Sequence, residues 1–217
     1  MGEILIRKCK KEDADDIKNI CYRTGYMGED LTGTDKFNDI NLFGLMFCTY
    51  YPLYETDNCF VAVDAHNQKV VGYIIGTLNS TRQQVNFIFL MASRIIGRLL
   101  AVTSWKYRES FVEVIYMAVH NIKIDGPENL HSDYPSHFHI DILPEYHRMG
   151  IGTRLISEFE NHIRKNKIKG IHLRTSNKNY SAINFYKKNG YRIIFEEKSK
   201  MWMGVEDYKS IIFVKKI

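Results

Sequence analysis

The sequence predicts an α/β fold, a mixed sheet flanked by helices in a single domain over residues 1–217, and three observations carry that reading. Residues 137–156, HFHIDILPEYHRMGIGTRLI, run from an alternating apolar strand through a proline into a glycine-bracketed turn and an amphipathic helix. Residues 168–195 go through strand, helix and strand again. Residues 58–64 and 69–78 are apolar runs joined by AHNQ, a hairpin pattern. Strands and helices interleaved over 217 residues are enough for one well-buried domain with an elaboration.

Each element has its own local cause. Ile4, Leu5 and Ile6 open a first strand over 4–9. Acids in the first turn and the stripe Ala14, Ile17, Ile20, Cys21 predict a helix over 12–21. Glycines and capping residues make 24–35 a loop. Residues 37–51 are apolar and aromatic at mixed helical spacing, ended by Pro52. After the hairpin comes a long interruption, 79–133. Within it, 85–102 has the length of a membrane span but carries Arg94 and Arg98 near its centre. Each would cost about 2.5–3.5 kcal/mol in a bilayer, so an amphipathic helix packed on the domain is expected. Residues 110–120 form a further helix or strand, and Gly126-Pro127 breaks the chain. The next strand places Phe138, Ile140 and Ile142 on one face and His137, His139 and Asp141 on the other, and stops at Pro144. Ile151, Leu155 and Phe159 mark the helix over 152–167. A strand over 168–175 follows, then a helix from Asn179 that stops at Gly190, a strand from Tyr191 and a last strand over 210–215.

Strand, glycine turn and helix start make an anion site, because free backbone N–H groups and the helix dipole converge there. A phosphate-bearing ligand is expected. No Lys-Ser/Thr follows the glycines, and the first glycine of the dinucleotide fingerprint is missing, so neither nucleotide loop fits. The run His147-Arg148-Met149-Gly150-Ile151-Gly152 resembles motif A of the GCN5-related N-acetyltransferases (GNAT), Gln/Arg-x-x-Gly-x-Gly/Ala, with His147 departing at the first position. Downstream, residues 179–191, NYSAINFYKKNGY, look like the same family's motif B, Asn-x-x-Ala-x-x-Phe-Tyr-x-x-x-Gly-Phe.

The resemblance implies the GNAT fold, a central, mostly antiparallel mixed sheet, here with a helical insertion at 79–133 before the motif A strand. It implies acetyl-CoA as cosubstrate and a primary amine as acceptor, joined by direct attack in a ternary complex. Ile140, Asp141 and Ile142 would hold the pantetheine arm. His147, Arg148, Met149, Gly150, Ile151, Gly152 and Thr153 would hold the phosphates, with charge from Arg148 and Arg154. Asn179 would reach the pantetheine, and Tyr186, at its ordinary pKa, would serve as general acid. In the family the first helices and their loop cover the acceptor pocket, so residues 37–51 would line it. A narrower similarity, over residues 71–78 and 134–146 and the insertion between them, is to acetyltransferase-like domains associated with O-GlcNAc hydrolases. Some of these are considered pseudo-acetyltransferases, which implies an alternative: a non-catalytic acetyl-CoA or CoA-binding module acting through a protein partner.

The general base is left between Asp141 and His139, which share one strand face, with His137 a step further away. That face also has a metal-like pattern, but no further ligand set accompanies it, so no metal is expected. The net charge of +5 is spread along the chain, and the densest basic run, 164–169, falls at a helix C-terminus, which argues against nucleic acid. Cys9, Cys21, Cys48 and Cys59 sit among apolar neighbours without a CxxC pair, as reduced thiols do. With no signal peptide in view, a cytoplasmic location is expected. No transmembrane segment is expected, and 85–102 offers a surface for a homodimer.

Overall fold

The computed structural model describes residues 2–101, 105–120 and 126–217. Its sheet has seven strands in the order β1-β2-β3-β4-β5-β7-β6. These are β1 (Ile4–Lys8), β2 (Phe60–Asp64), β3 (Val70–Thr77), β4 (Ser136–Ile142), β5 (Gly170–Ser176), β6 (Arg192–Lys198) and β7 (Lys209–Lys216). Every neighbouring pair is antiparallel except β4 and β5. The helices are α1 (Ala14–Thr24), α2 (Ile40–Phe47), α3 (Tyr50–Tyr54), α4 (Ser80–Ala101), α5 (Arg108–His120), α6 (Leu130–Asp133), α7 (Ile151–Lys165) and α8 (Tyr180–Lys188).

The sheet separates two main cores, with a smaller cluster of Leu130, Tyr134, Ile212 and Val214 beside them. One holds α1 to α5 and Trp202 against Val61, Val63, Tyr73 and Ile75. The other holds α7 and α8 against Ala62, Ile74, Phe138 and Phe213. β2 and β3 are covered on both faces, so each is buried throughout, which is why their sequences read as near-continuous apolar runs. α7 carries its core stripe as foreseen: Ile151, Leu155, Ile156, Phe159 and Ile163 are all buried.

Several expected boundaries shift. Residues 11–13 form a single 3-10 turn before α1. Pro52 does not end the aromatic segment. The break comes at Cys48 and Thr49, and Pro52 lies in the first turn of α3, where a missing N–H leaves no helical bond unmade. Of the two alternatives for 110–120, the helix is observed.

The insertion lies between β3 and β4, which pair regardless, Gly72 opposite Ile142 through Thr77 opposite His137. Of the expected helix over 85–102, Val102 lies outside the described residues. α4 packs by a stripe at four-residue spacing. Gln83 and Met91 are buried, and Phe87 and Ile95 lie partly buried against the first core. Arg98 leaves the apolar stripe to pair with the buried Asp39 at 2.8 Å, and Arg94 sits over the Tyr54 ring. Away from that stripe α4 exposes Ile88, Phe89, Ile96 and Leu100, and α5 exposes Ile115 and Val119. By length and composition alone α4 can cross a membrane, and little of it is buried inside the protein.

Candidate active site

β4 and β5 pair only at Ser136↔Ile171 and His137↔His172. Beyond those residues the strands part, and the interval opens into a cavity of about 1140 Å³. On its other side β4 stays paired with β3 as far as Ile142, and the Leu143 N–H donates to Val71 C=O. Antiparallel alternation therefore turns the backbone groups of Ile140 and Ile142 toward the gap. The Ile142 carbonyl accepts a bond from His147 Nε2 at 2.8 Å. An extended amide chain lying in this gap can pair with the open edge as an added strand would.

The glycine turn closes one end of the cavity. Arg148 (φ 64°) and Gly150 (φ 73°) are both left-handed, which folds the chain tightly enough to start α7 beside the end of β4. The first helical bond runs from Arg154 N–H to Gly150 C=O. The N–H groups of Ile151, Gly152 and Thr153 precede it, so none has a helical acceptor, and no acidic side chain lies in this turn. His147, Arg148, Gly150, Ile151, Gly152 and Thr153 line the cavity, as does the β4 stretch from His139 to Ile142. Met149 does not; partly buried, it packs against the second core. Arg154 is also turned away, donating to the Ile4 carbonyl at 3.0 Å. Gly152 ties the two motifs together: a Cβ there would lie 2.8 Å from the Phe185 ring and 3.2 Å from Ile142.

α8 forms the facing wall. Asn179 accepts from the Ala182 N–H at 3.0 Å and so caps the helix, leaving its NH₂ group for a ligand. Tyr186 packs among Phe138, Phe185, Tyr191 and Phe213. Its hydroxyl has no protein partner among the described residues and still is not sealed in, so it opens to the cavity. Burial, and then the charge of Asp141, push its pKa above the ordinary tyrosine value. The expectation of an unperturbed phenol is thus corrected: Tyr186 stays protonated throughout the neutral range.

The polar face of β4 points toward the first core. Burial pushes the Asp141 carboxyl up to about 6, against the pull of the Tyr73 and Thr24 hydroxyls, and Tyr73 donates to its Oδ2. The desolvating cavity walls push His139 down to about 4 although its ring opens to the cavity, and burial with the neighbouring histidines lowers His137 well below its ordinary value, so neither sits near neutrality as an imidazole in bulk water would. Tyr51 Oη lies 2.7 Å from His137 Nε2 and 3.1 Å from His139 Nε2. With those nitrogens turned to one phenol, the His-x-His-x-Asp pattern is a hydrogen-bonded face, and no metal-holding cluster occurs among the described residues.

Sequence reasoning missed Tyr73 and Cys21, and although residues 37–51 were expected to line the acceptor pocket, it did not show that Tyr51 would meet the β4 histidines. All three reach the site only through strand register and helix packing, and no local pattern marks them. Cys21 lines the cavity, and its contact with Cys48 together with burial holds the thiol well above its ordinary pKa. The aromatic segment does reach the site: Phe43 and Phe47, with Met27, Met201 and Trp202, make the apolar end of the cavity.

Residues 34–191 match the acetyltransferase (GNAT) family, and with well over half of the sequence covered, the chain belongs to it. Among solved structures, SsHAT superposes with a TM-score of 0.75 at 22% identity, covering 99% of this chain and 98% of the other. An agmatine N-acetyltransferase gives 0.60 at 13% identity over 100% of each chain. The PaiA N-acetyltransferase from Thermoplasma acidophilum, solved in complex with coenzyme A, gives 0.57 at 16% identity over 99% of each. At these identities the likeness is one of fold, and it is the GNAT fold.

Proposed function

We propose that the chain is an acetyl-CoA-dependent N-acetyltransferase acting on a primary amine by direct attack within a ternary complex. The observation that supports this most is the parting of β4 and β5. It leaves an unpaired strand edge for the amides of a pantetheine arm, with the α7 amides at one end for its phosphates. The neighbour solved with coenzyme A has the same fold.

At the end of β4 the two faces of one strand divide the work. Asp141 and His139 lie on one face and Tyr186 reaches in from the other. The acceptor nitrogen forms its bond to the thioester carbonyl carbon while Asp141 or His139 takes its proton. The C–S bond then breaks, and the leaving sulfur receives a hydrogen bond and a proton from Tyr186. Orientation supplies much of the acceleration, since the strand edge fixes the thioester beside both faces. No covalent enzyme intermediate is required, and Cys21, held protonated, is a poor nucleophile. The four cysteines are free and buried, which suits a reducing, cytoplasmic setting.

The test is acetyl-CoA-dependent thiol release against pooled polyamines, amino acids, amino sugars and short lysine peptides. A rate that depends on the acceptor supports the enzyme and, on splitting the pool, names the acceptor class. The exposed apolar residues of α4 and of α5 favour a second reading, a CoA-binding module docked to a partner or to a second copy. Calorimetric binding of acetyl-CoA with no turnover in any pool would select it, and no binding would remove both.

A further inference from the structure

We infer that Tyr51 is a positioning residue: backed by His137 and Ser80, it holds His139 as the Nε2–H tautomer and leaves the Nδ1 lone pair to take the acceptor's proton. The inference rests on the acetyl-transfer reading and decides between its two base candidates.

The argument is a count of hydrogens along one line of contacts. Ser80 N–H donates to the Pro135 carbonyl at 2.8 Å, and Ser80 Oγ lies 2.8 Å from the same carbonyl. Ser80 Oγ is also 2.7 Å from His137 Nδ1. His137 Nε2 faces Tyr51 Oη, which in turn faces His139 Nε2. The protons can run in either direction. If the Ser80 hydroxyl donates to His137, then His137 donates to Tyr51, Tyr51 to His139, and the His139 proton is left on Nδ1. That arrangement leaves the contact between Ser80 Oγ and Pro135 without a hydrogen. If Ser80 donates to Pro135 instead, the carbonyl uses both lone pairs. His137 Nδ1–H then donates to Ser80, Tyr51 to His137 Nε2, and His139 Nε2–H to Tyr51. This second direction gives every contact its hydrogen. Ser80 is fully buried and Tyr51 nearly so, and in such a place a contact without a hydrogen is a bond lost outright.

His139 is then fixed at Nε2, and its Nδ1 is the polar atom that the ring, exposed along the cavity wall, offers to a substrate. Both histidines must be neutral for the count to hold, which agrees with the desolvating surroundings lowering both pKa values. Asp141 differs, because one of its oxygens is already held by Tyr73. The anchor of the line also gives the insertion a part in the site, since Ser80 is the first residue of α4.

The experiment is a double-mutant cycle on the full chain, together with ¹⁵N spectra of histidine-labelled protein. His139→Ala should lower kcat by about a hundredfold or more. Tyr51→Phe should lower it about tenfold with the KM for acetyl-CoA unchanged, and should add nothing when His139 is already alanine. Ser80→Ala, at the far end of the line, should cause a severalfold loss that is likewise silent in the His139→Ala background, and serves if Tyr51→Phe does not fold. The ¹⁵N spectra should show His139 protonated on Nε2. Losses that multiply, His139 protonated on Nδ1, or full rate in His139→Ala would each overturn the inference; the last would leave acetyl transfer intact and move the proton to Asp141. A protein without turnover would count against the acetyl-transfer reading alone, while the tautomer, read without substrate, still supports or overturns the line.

Discussion

The two working walls of the cavity are built on different principles. The wall formed by the turn and the open edge of β4 is made of backbone: the amides of Ile151, Gly152 and Thr153, and the strand groups of Ile140 and Ile142. The wall around Asp141 and His139 is made of side chains gathered from separate elements, Tyr73 from β3 and Cys21 from α1, with Tyr51 of α3 backing His139 from behind. Backbone recognition depends on local conformation and tolerates many side chains. Side-chain recognition depends on which distant residues meet and tolerates few.

The sharpest break in that comparison comes at Tyr186. Tyr186→Phe should lower kcat by about a hundredfold or more while acetyl-CoA binding, measured by calorimetry, stays within a factor of about two. An unchanged rate would reduce Tyr186 to a packing residue. On the backbone wall the large effect should come from added bulk rather than lost polarity. Gly152→Val must displace the Phe185 ring, and an overpacking strain of about 1–3 kcal/mol should weaken acetyl-CoA binding by roughly tenfold or more. Wild-type affinity in this variant would mean that the two motifs need not touch.

Asp141 sharpens the side-chain wall through pH. Its folded pKa, about 6, lies above its ordinary value, so kcat/KM should fall as pH drops through about 6 if the carboxylate is needed, and Asp141→Asn should abolish that limb. The stability sign is opposite. A raised carboxyl pKa contributes stability below the ordinary value near 3.9, and that contribution is lost as pH rises through 6. Asp141→Asn should therefore raise Tm at pH 7, by up to about 2–3 kcal/mol in stability, with the advantage shrinking in acid. A lower Tm at pH 7 would mean that the bond from Tyr73 outweighs the burial of charge. The smallest effect belongs to His147→Gln, which restores the family residue. Because neighbouring amides do the holding, affinity should stay within about threefold, although the bond to the Ile142 carbonyl is changed.

Legibility followed the same division. Gly150, Gly152, Asn179 and Tyr186 were readable because a left-handed turn, a helix cap and one helix face are all set within a few residues of chain. The alternation along β4 assigned His139 and Asp141 to one face correctly. It did not reveal that desolvation would move their pKa values in opposite directions, since the surroundings that exclude water come from elements distant in sequence, α1 and α3 among them. Arg154 sits one turn from the proposed phosphate site and looked suited to it, yet the carbonyl of Ile4, distant in sequence, takes its guanidinium. Pro52 looked like a terminator only because the break before it, at Thr49, has no strong local signal.

The sequence by itself determined the strand, turn and helix at 136–165, the second motif, the hairpin and the family to which the chain belongs, because each is encoded by short-range backbone preference and hydrophobic period. Tertiary structure decided where β4 and β5 part, which arginines face away, how Ser80 of the insertion meets His137, and which hydroxyls hold Asp141 and His139. Those outcomes depend on contacts between residues dozens of positions apart, which no local pattern records.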